Sequence, residues 1–443
     1  MKKTFLLSCL MLAAMPVMAA YTGHVYVDKN KNGVFDQSEK PLAGIKVSDG
    51  LNVVETAADG SFTLPGHERE RFIFITTPSG YKTFNRHYHK IEKKQSGYDF
   101  GLIPYSGRIR KDGSHRYIHI ADTEIFNTEN HADWVNNVRD YARNEQAAFI
   151  IHTGDICYEK GLKAHIKLMN TENMDCPVFY CIGNHDLVKG KYGEELFESI
   201  YGPVYYSFDA GNVHYVVTPM PGGDHAPGYT SDDVCRWLKN DLAHIRPGTP
   251  VVVFNHDLLT YEDTFIFKSK NAGSINLNEY NLKAWVYGHW HINYMKKQGD
   301  VYSVCTSSLD KGGIDHSTTA FRVMHVDSKG DFTSELRYTY LDKNICIASP
   351  AGVMASGVLP VAVNVYSSVS PVREVLYTCL ADGKPVLKNK RLLQSTDWSW
   401  NGELPLSHKY VGKELTLRVT ARFNNGEIAE AESNFICRTE KTV

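Results

Sequence analysis

Asn184-His185-Asp186 and Asn255-His256-Asp257 write one tripeptide twice, and Gly288-His289-Trp290-His291 adds a pair of imidazoles. Upstream, Asp122-Thr123-Glu124 and Gly154-Asp155 supply carboxylates. Carboxylate, amide and imidazole are the oxygen and nitrogen donors that suit Mn, Zn and Fe alike. Singly these clusters say little, since a Gly-Asp is usually a turn and a His-x-His is usually surface. Each, however, closes an apolar run: Tyr117–Ile120, Ala148–Ile151, Val178–Ile182, Val251–Phe254 and Ala284–Tyr287. In open α/β sheets ligands lie beyond the carboxyl ends of the strands, so these donors are expected along one rim.

The elements that must position them follow from the pattern between the runs. HADWVNNVRDYARNEQ carries Trp134, Val138 and Tyr141 at helical spacing. TSDDVCRWLKNDLAHI carries Val234, Trp237, Leu238, Leu242 and Ile245, with Thr230 and Asp233 as a capping box. Strands alternating with helices predict an α/β core over residues 114–342. Before it, residues 21–105 are short strands and turns (His24–Val27, Gly44–Val47, Arg71–Ile75, with turns at Asp59-Gly60 and Ser79-Gly80), which predict a small β-sandwich. After it, residues 346–443 return to β character at Val361–Tyr366, Glu374–Leu380 and Leu415–Val419 and predict a second sandwich-like domain. The expected fold class is α/β, a sandwich core flanked by two β-sandwiches. Trp398 and Trp400 of the last domain are read as core or edge aromatics, with a glycan platform as the alternative.

The order of the clusters resembles that of the calcineurin-like metallophosphoesterases, whose pattern runs D-x-H, GD, GNH[DE], H, GHxH. Four of these five parts are present, and the first departs, with Glu at position 124 where His is usual. The resemblance implies phosphoester hydrolysis at two divalent cations about 3.5–4 Å apart, with a shared water as the nucleophile attacking phosphorus in line. It implies Asp155 as the bridging carboxylate, Asp122 and His291 on the first metal, and Asn184, His256 and His289 on the second. It also implies His185 as the general acid, oriented by Asp186. Two replacements for the missing histidine are open. Glu124 stands at the expected position. Tyr158 makes GDICY match the GDxxY of purple acid phosphatases, where a tyrosinate binds ferric iron, and Val253–His256 fits their VxxH. Glu124 is preferred, because that second family has no ligand at its place. His225 and Lys311, on irregular segments, are candidate substrate contacts. A phosphoester is the expected partner, mono- or diester. A non-catalytic surface-binding module is the alternative outside enzymes.

Within the N-terminal domain, Asp28, Asn30, Asn32, Gly33, Asp36 and Glu39 fit the twelve-residue calcium-loop pattern. Strand-like residues flank it, so it is not an EF-hand. It resembles the opening of B-type sandwich repeats of bacterial surface proteins, which implies a calcium site; a polar loop without an ion is the alternative.

The chain has 443 residues, enough for several cores, with 42% hydrophobic and 22% charged residues, as in a globular protein. Its formal net charge of −2 offers no basic patch for nucleic acid. Residues 1–20 read as a signal peptide: Lys2 and Lys3, an apolar segment too short to span a bilayer, then small residues before a cut. The expectation is an exported protein, periplasmic or secreted, associated at most with the cell envelope. Cys9 comes too early for lipid anchoring, and no later segment is apolar enough to cross a membrane. The eight remaining cysteines form no CxxC pair and are expected to be free buried thiols.

Overall fold

The apolar runs of the middle region pair into two stacked sheets in the computed structural model, which describes residues 20–95, 97–341 and 343–439. The expected signal segment, up to Ala19, lies outside the described residues. One sheet is built on the parallel strands His115–Ile120, Phe149–His152 and Val178–Tyr180, with Ala320–Val326 and Phe332–Tyr338 added antiparallel. The other is built on the parallel strands Val213–Val217, Val251–Phe254, Leu282–Tyr287 and Val301–Cys305, edged antiparallel by Tyr206–Ala210 and Tyr294–Gln298. Phe149–His152, Val213–Val217 and Val251–Phe254 are buried along their whole length, as expected where both faces are covered. Tyr117, Phe149, Phe208, Tyr215 and Phe254 interlock between the sheets, with Phe208 and Tyr215 stacked at 5.3 Å.

Four α-helices are present among the described residues: α1 (Ala132–Asn144), α2 (Tyr158–Leu168), α3 (Glu195–Tyr201) and α4 (Ser231–Ala243). The apolar face of α1 buries Trp134, Val138 and Tyr141. α4 starts at the predicted capping box: Thr230 Oγ1 accepts from Asp233 N at 3.2 Å, and Thr230 N donates to Asp233 Oδ2 at 2.8 Å. α2 and α3 were not visible in the apolar pattern.

Two β-sandwiches flank this α/β core. In the N-terminal one, Val25, Val47, Leu64, Ile73 and Leu102 form the centre. Its polar loop closes on its own groups. The buried Asp28 carboxylate accepts from Asn32 N at 3.2 Å and Gly33 N at 2.9 Å, and Glu39 accepts from Lys29 N at 2.9 Å. Asp36 accepts from the amides of Asn30 at 2.7 Å and Asn32 at 3.2 Å. The C-terminal sandwich packs Val361, Val363, Leu417, Val419 and Phe423 between its sheets. Trp400 belongs to that core, whereas Trp398 is exposed and meets Tyr338 edge-on at 6.1 Å. All eight cysteines among the described residues are free; seven are buried, and Cys346 is exposed rather than buried because it sits on an outer strand. None of the described helices is long and apolar enough to cross a membrane.

The N-terminal sandwich is joined to the core by a continuous apolar seam. Phe72, Phe74 and Tyr88 belong to the same buried cluster as Trp237 and Phe208. Beside the seam, His214 is enclosed by two carboxylates, with Nδ1 2.7 Å from Asp209 and Nε2 2.8 Å from Asp241. Burial alone would pull this imidazole down, but Asp241 and Asp209 raise it to about 9. A histidine raised in the folded state contributes stability that is fully present below its unfolded value near 6.5 and is lost as pH climbs through the folded value. Urea titrations should therefore show this contribution falling between about pH 6.5 and pH 9. His214→Ala should cost about 3–5 kcal/mol at neutral pH, because it strands a buried carboxylate. A variant as stable as the parent, or a parent whose stability does not fall over that range, would contradict the charged-imidazole assignment.

Candidate metal centre

Each donor sits where a strand ends and the backbone turns sharply. Asp122 follows His115–Ile120, Asp155 follows Phe149–His152, Asn184 follows Val178–Tyr180, His256 follows Val251–Phe254, and His289 follows Leu282–Tyr287. Of sixteen non-glycine residues with positive φ among those described, seven belong here: Asp122, Glu124, Asp155, Cys157, Tyr158, His289 and His291. Left-handed backbone costs an L-residue of order 1–2 kcal/mol, so such a cluster needs the surrounding structure to hold it.

Glycine makes the approach close enough. A Cβ on Gly183 would lie 2.2 Å from Asp155 Oδ1, and one on Gly288 would lie 2.8 Å from Asp122 Oδ2. Without these side chains the loops converge. His256 Nε2 is 3.1 Å from Asp155 Oδ2 and 3.9 Å from Asp122 Oδ1. His291 Nε2 is 3.5 Å from Asp122 Oδ1 and 3.4 Å from Glu124 Oε1. Ligand atoms of Asp155, His256 and His289 all lie within 4.8 Å of one another. The structure thus brings together Asp122, Glu124, Asp155, His256, His289 and His291, with Asn184 beside them on the Gly183 turn.

The donor chemistry fits divalent cations. Asp122 is fully buried, and burial drives its carboxyl well above the usual range, a charge that a cation would stabilise. Asn184 Oδ1 and His256 Nε2 are buried without a hydrogen-bond partner. Orphaned acceptors of this kind are costly unless something binds them. His256 Nδ1 donates to the Thr153 carbonyl at 2.7 Å, which leaves Nε2 turned toward the carboxylates, the orientation a metal ligand needs.

His185 lies at the rim, its backbone N donating to Asp155 Oδ1 at 3.0 Å. Its orienting partner differs from the expected one. Asp186 does not reach the His185 ring; its buried carboxylate accepts from Gly183 N at 3.0 Å and Cys157 N at 2.9 Å, tying together the turns that carry Asn184 and Asp155. A neighbour in a tight one-turn helix points its side chain away, so adjacency in sequence misled. Asp224 takes the place, with Oδ2 2.8 Å from His185 Nδ1. Burial lowers the His185 imidazole, but the Asp224 bond and Asp155 leave it raised overall. Only the irregular segment that carries His225 hinted at this residue. His225, its neighbour, is exposed, and no polar contact brings its ring to the donors.

Lys311 Nζ donates to Glu124 Oε2, leaving Oε1 toward His291. Tyr158 is 44% exposed, so it does not pack beneath the site; its ring lies 5.4 Å from His185 and stacks on Phe126 at 6.4 Å. Cys157, unremarked in the sequence, places its sulfur within 4.8 Å of carboxylate oxygens of Glu124 and Asp155, and burial pushes its thiol up. In the second tripeptide, Asn255 Nδ2 donates to the Thr218 and Pro219 carbonyls at 3.1 Å each, and Asp257 Oδ1 accepts from Trp290 Nε1 at 3.0 Å. Beside His289 opens a cavity of about 520 Å³ lined by Tyr261, Trp290 and Ile314.

Residues 115–293 match the calcineurin-like phosphoesterase family, and residues 29–104 match the N-terminal domain of calcineurin-like phosphoesterase. Purple acid phosphatase 13 of Arabidopsis thaliana is 26% identical over 215 residues, 45% of this chain and 36% of that protein. The chain thus spans about a third of the length of that curated relative. Among solved structures, an archaeal phosphodiesterase is similar at 13% identity and a TM-score of 0.26, covering 50% of this chain and 99% of that one. Vacuolar protein sorting 29 of Cryptosporidium parvum is similar at 10% identity and a TM-score of 0.27, covering 66% and 99%.

Gly183→Ala should lose metal, because the new methyl would meet both the Asp155 carboxylate at 2.2 Å and its backbone N at 2.3 Å, so that this turn must shift. Elemental analysis and circular dichroism check this. A folded variant with an undiminished metal content would show that the close approach of Gly183 is not needed.

Proposed function

Because the chain belongs to the calcineurin-like phosphoesterases, we propose that it is a metal-dependent phosphoester hydrolase with His185 as its general acid. The observation that carries the reading is the convergence of two buried carboxylates with the partnerless Asn184 Oδ1 and His256 Nε2. Asp122, Glu124 and His291 would hold one divalent cation, Asn184, His256 and His289 the other, and Asp155 would be shared. When bound, such a pair supplies charge stabilisation of phosphoryl oxygens and a more acidic water. The residues of the chain do the rest. With Nδ1 engaged by Asp224, His185 has Nε2 free to give a proton to the leaving oxygen. Asp224 holds the ring's orientation and favours its protonated form. Lys311, paired with Glu124, adds positive charge at the same edge.

His185→Ala should retain metal and lose about 10²–10⁴ in kcat on alkyl phosphoesters, with a much smaller loss on p-nitrophenyl esters, whose leaving group needs little protonation. Asp224→Asn should show the same split at smaller size. Equal losses on both substrates would remove His185 from the acid's role.

A second reading has Tyr158 on iron, supported by the similarity to a purple acid phosphatase. Glu124 is favoured over it because its Oε1 already faces His291 at 3.4 Å. An iron-loaded sample should lack a tyrosinate charge-transfer band, and Tyr158→Phe should leave its visible spectrum unchanged. A purple preparation bleached by Tyr158→Phe would move the protein to the second reading.

The leader-like residues 1–20 support export to the periplasm or beyond, which N-terminal sequencing of the mature protein would test. In the N-terminal loop, Asp28, Asn30, Asn32, Asp36 and Glu39 offer calcium a set of oxygens on one short turn. Millimolar calcium should then raise the melting temperature by mass action; no shift would favour the self-bonded loop.

A further inference from the structure

We infer that the N-terminal β-sandwich helps to align the general acid, through a relay from Arg71 by way of Glu194 and Gly228 to Asp224. The inference rests on the reading of His185 as the acid. Asp224 rides on the irregular segment between the strand Val213–Val217 and α4, and that segment is pinned at three places. Asn255 holds its start through the Thr218 and Pro219 carbonyls. Its middle is pinned on the ligand loops, with Asp224 N donating to the Asn184 carbonyl at 3.1 Å and Gly193 N to the Ala226 carbonyl at 2.8 Å. Its end is held by Glu194, whose carboxylate accepts from Gly228 N at 2.8 Å.

Glu194 is fully buried, and what neutralises it comes from the other domain. Arg71 Nη2 lies 2.8 Å from Glu194 and 2.7 Å from Glu198, and Arg71 Nε donates to Glu198 at 3.0 Å. A planar guanidinium bridges two carboxylates in a way an ammonium does not. Arg69, two residues before, donates to the Gly228 carbonyl and pairs with Asp233 at 3.1 Å. Arg71 immediately precedes the strand Phe72–Ile75, with Arg69 two residues further back, and Phe74 of that strand packs on Trp237 of α4 at 6.3 Å. The guanidinium is therefore anchored by the apolar seam and not by a free loop.

Removing Arg71 leaves Glu194 and Glu198 buried together as unpaired carboxylates, which repel. Glu194 must turn away or take up a proton, and Gly228 loses a charged acceptor. The loop end loosens four residues from Asp224, and the His185 ring loses its fixed partner. Arg71 and Glu194 touch neither ligand nor substrate, so they are positioning residues.

The test uses the full chain. Arg71→Met should lower kcat on alkyl phosphoesters about 10-fold, the lower range for loss of a supporting contact, with bound metal and p-nitrophenyl turnover unchanged. In an Asp224→Asn background the same substitution should add nothing, because its route is already cut. Gly228→Ala keeps every charge, puts a methyl 2.9 Å from Glu194 Oε1 and should give the same split, so the test survives if Arg71→Met does not fold. Equal losses on the two substrate types, or losses that multiply in the double variant, would overturn the relay and leave Arg71 a stabiliser of the domain junction. A His185→Ala variant without a leaving-group split would overturn the acid assignment itself, and the relay with it; a split in His185→Ala that Arg71→Met and Gly228→Ala lack overturns the relay alone.

Discussion

Two carboxylates, Asp122 and Asp155, must face one point inside a water-poor rim, and most of the local structure answers to that constraint. Like charges brought this close in a buried setting are sustained only by compensating positive charge. With no cation bound, part of it falls to His256, whose Nε2 faces Asp155 at 3.1 Å and Asp122 at 3.9 Å; a cation held at that nitrogen would take over the role. The oxygen and nitrogen atoms left partnerless around the same point are complementary to cations. The left-handed turns at Asp122, Asp155, His289 and His291 and the bare backbone of Gly183 and Gly288 are the geometric consequences. They shorten the path from strand end to ligand atom until several loops can share one centre.

The part of this arrangement that could be read in the sequence is the part carried by strand ends. An apolar run followed at once by Asp, Asn or His fixes both the element and the position of the donor, because the end of a strand leaves little freedom. α4 was legible for a similar reason: its capping box and apolar spacing agree with each other. α2 was not, since Gly161 lies inside it and reads as a breaker. In the fold that glycine is needed, because a Cβ there would meet the Ile125 carbonyl at 2.4 Å. The partner of His185 was not legible either. Asp186 is adjacent in sequence and turned away in space, whereas Asp224 is remote in sequence and brought near by a loop with no periodicity to betray it. Trp400 and Trp398, two residues apart on one strand-bearing segment, fall one in the core and the other at the surface, which composition could not distinguish.

The repeated tripeptide shows how little identical letters constrain roles. In the first copy Asn184 keeps a buried Oδ1 without a partner, His185 meets Asp224 at the rim, and Asp186 holds the supporting backbone. In the second only His256 faces the centre. Asn255 spends its amide on the start of the loop that ends in Asp224, and Asp257 fixes the indole of Trp290 between the two histidines of the last motif. Backbone geometry decides the difference: the first copy is a turn of 3-10 helix, the second an irregular exit from a strand.

Strained turns persist only where their surroundings over-determine them, and here the surroundings extend past the α/β core. On one side the N-terminal sandwich shares an apolar cluster with the core sheet and sets the half-buried Arg71 against Glu198 of α3. On the other, Arg337 of the core stacks between Tyr141 of α1 at 5.6 Å and Tyr366 of the C-terminal sandwich at 4.7 Å, and Asn144 donates to the Val369 carbonyl at 2.8 Å. Both junctions act on helices and on the loops between them. A rim that must hold several left-handed residues while leaving its donors open to a cation and a substrate gains its rigidity from behind, and the two sandwiches are placed to provide it.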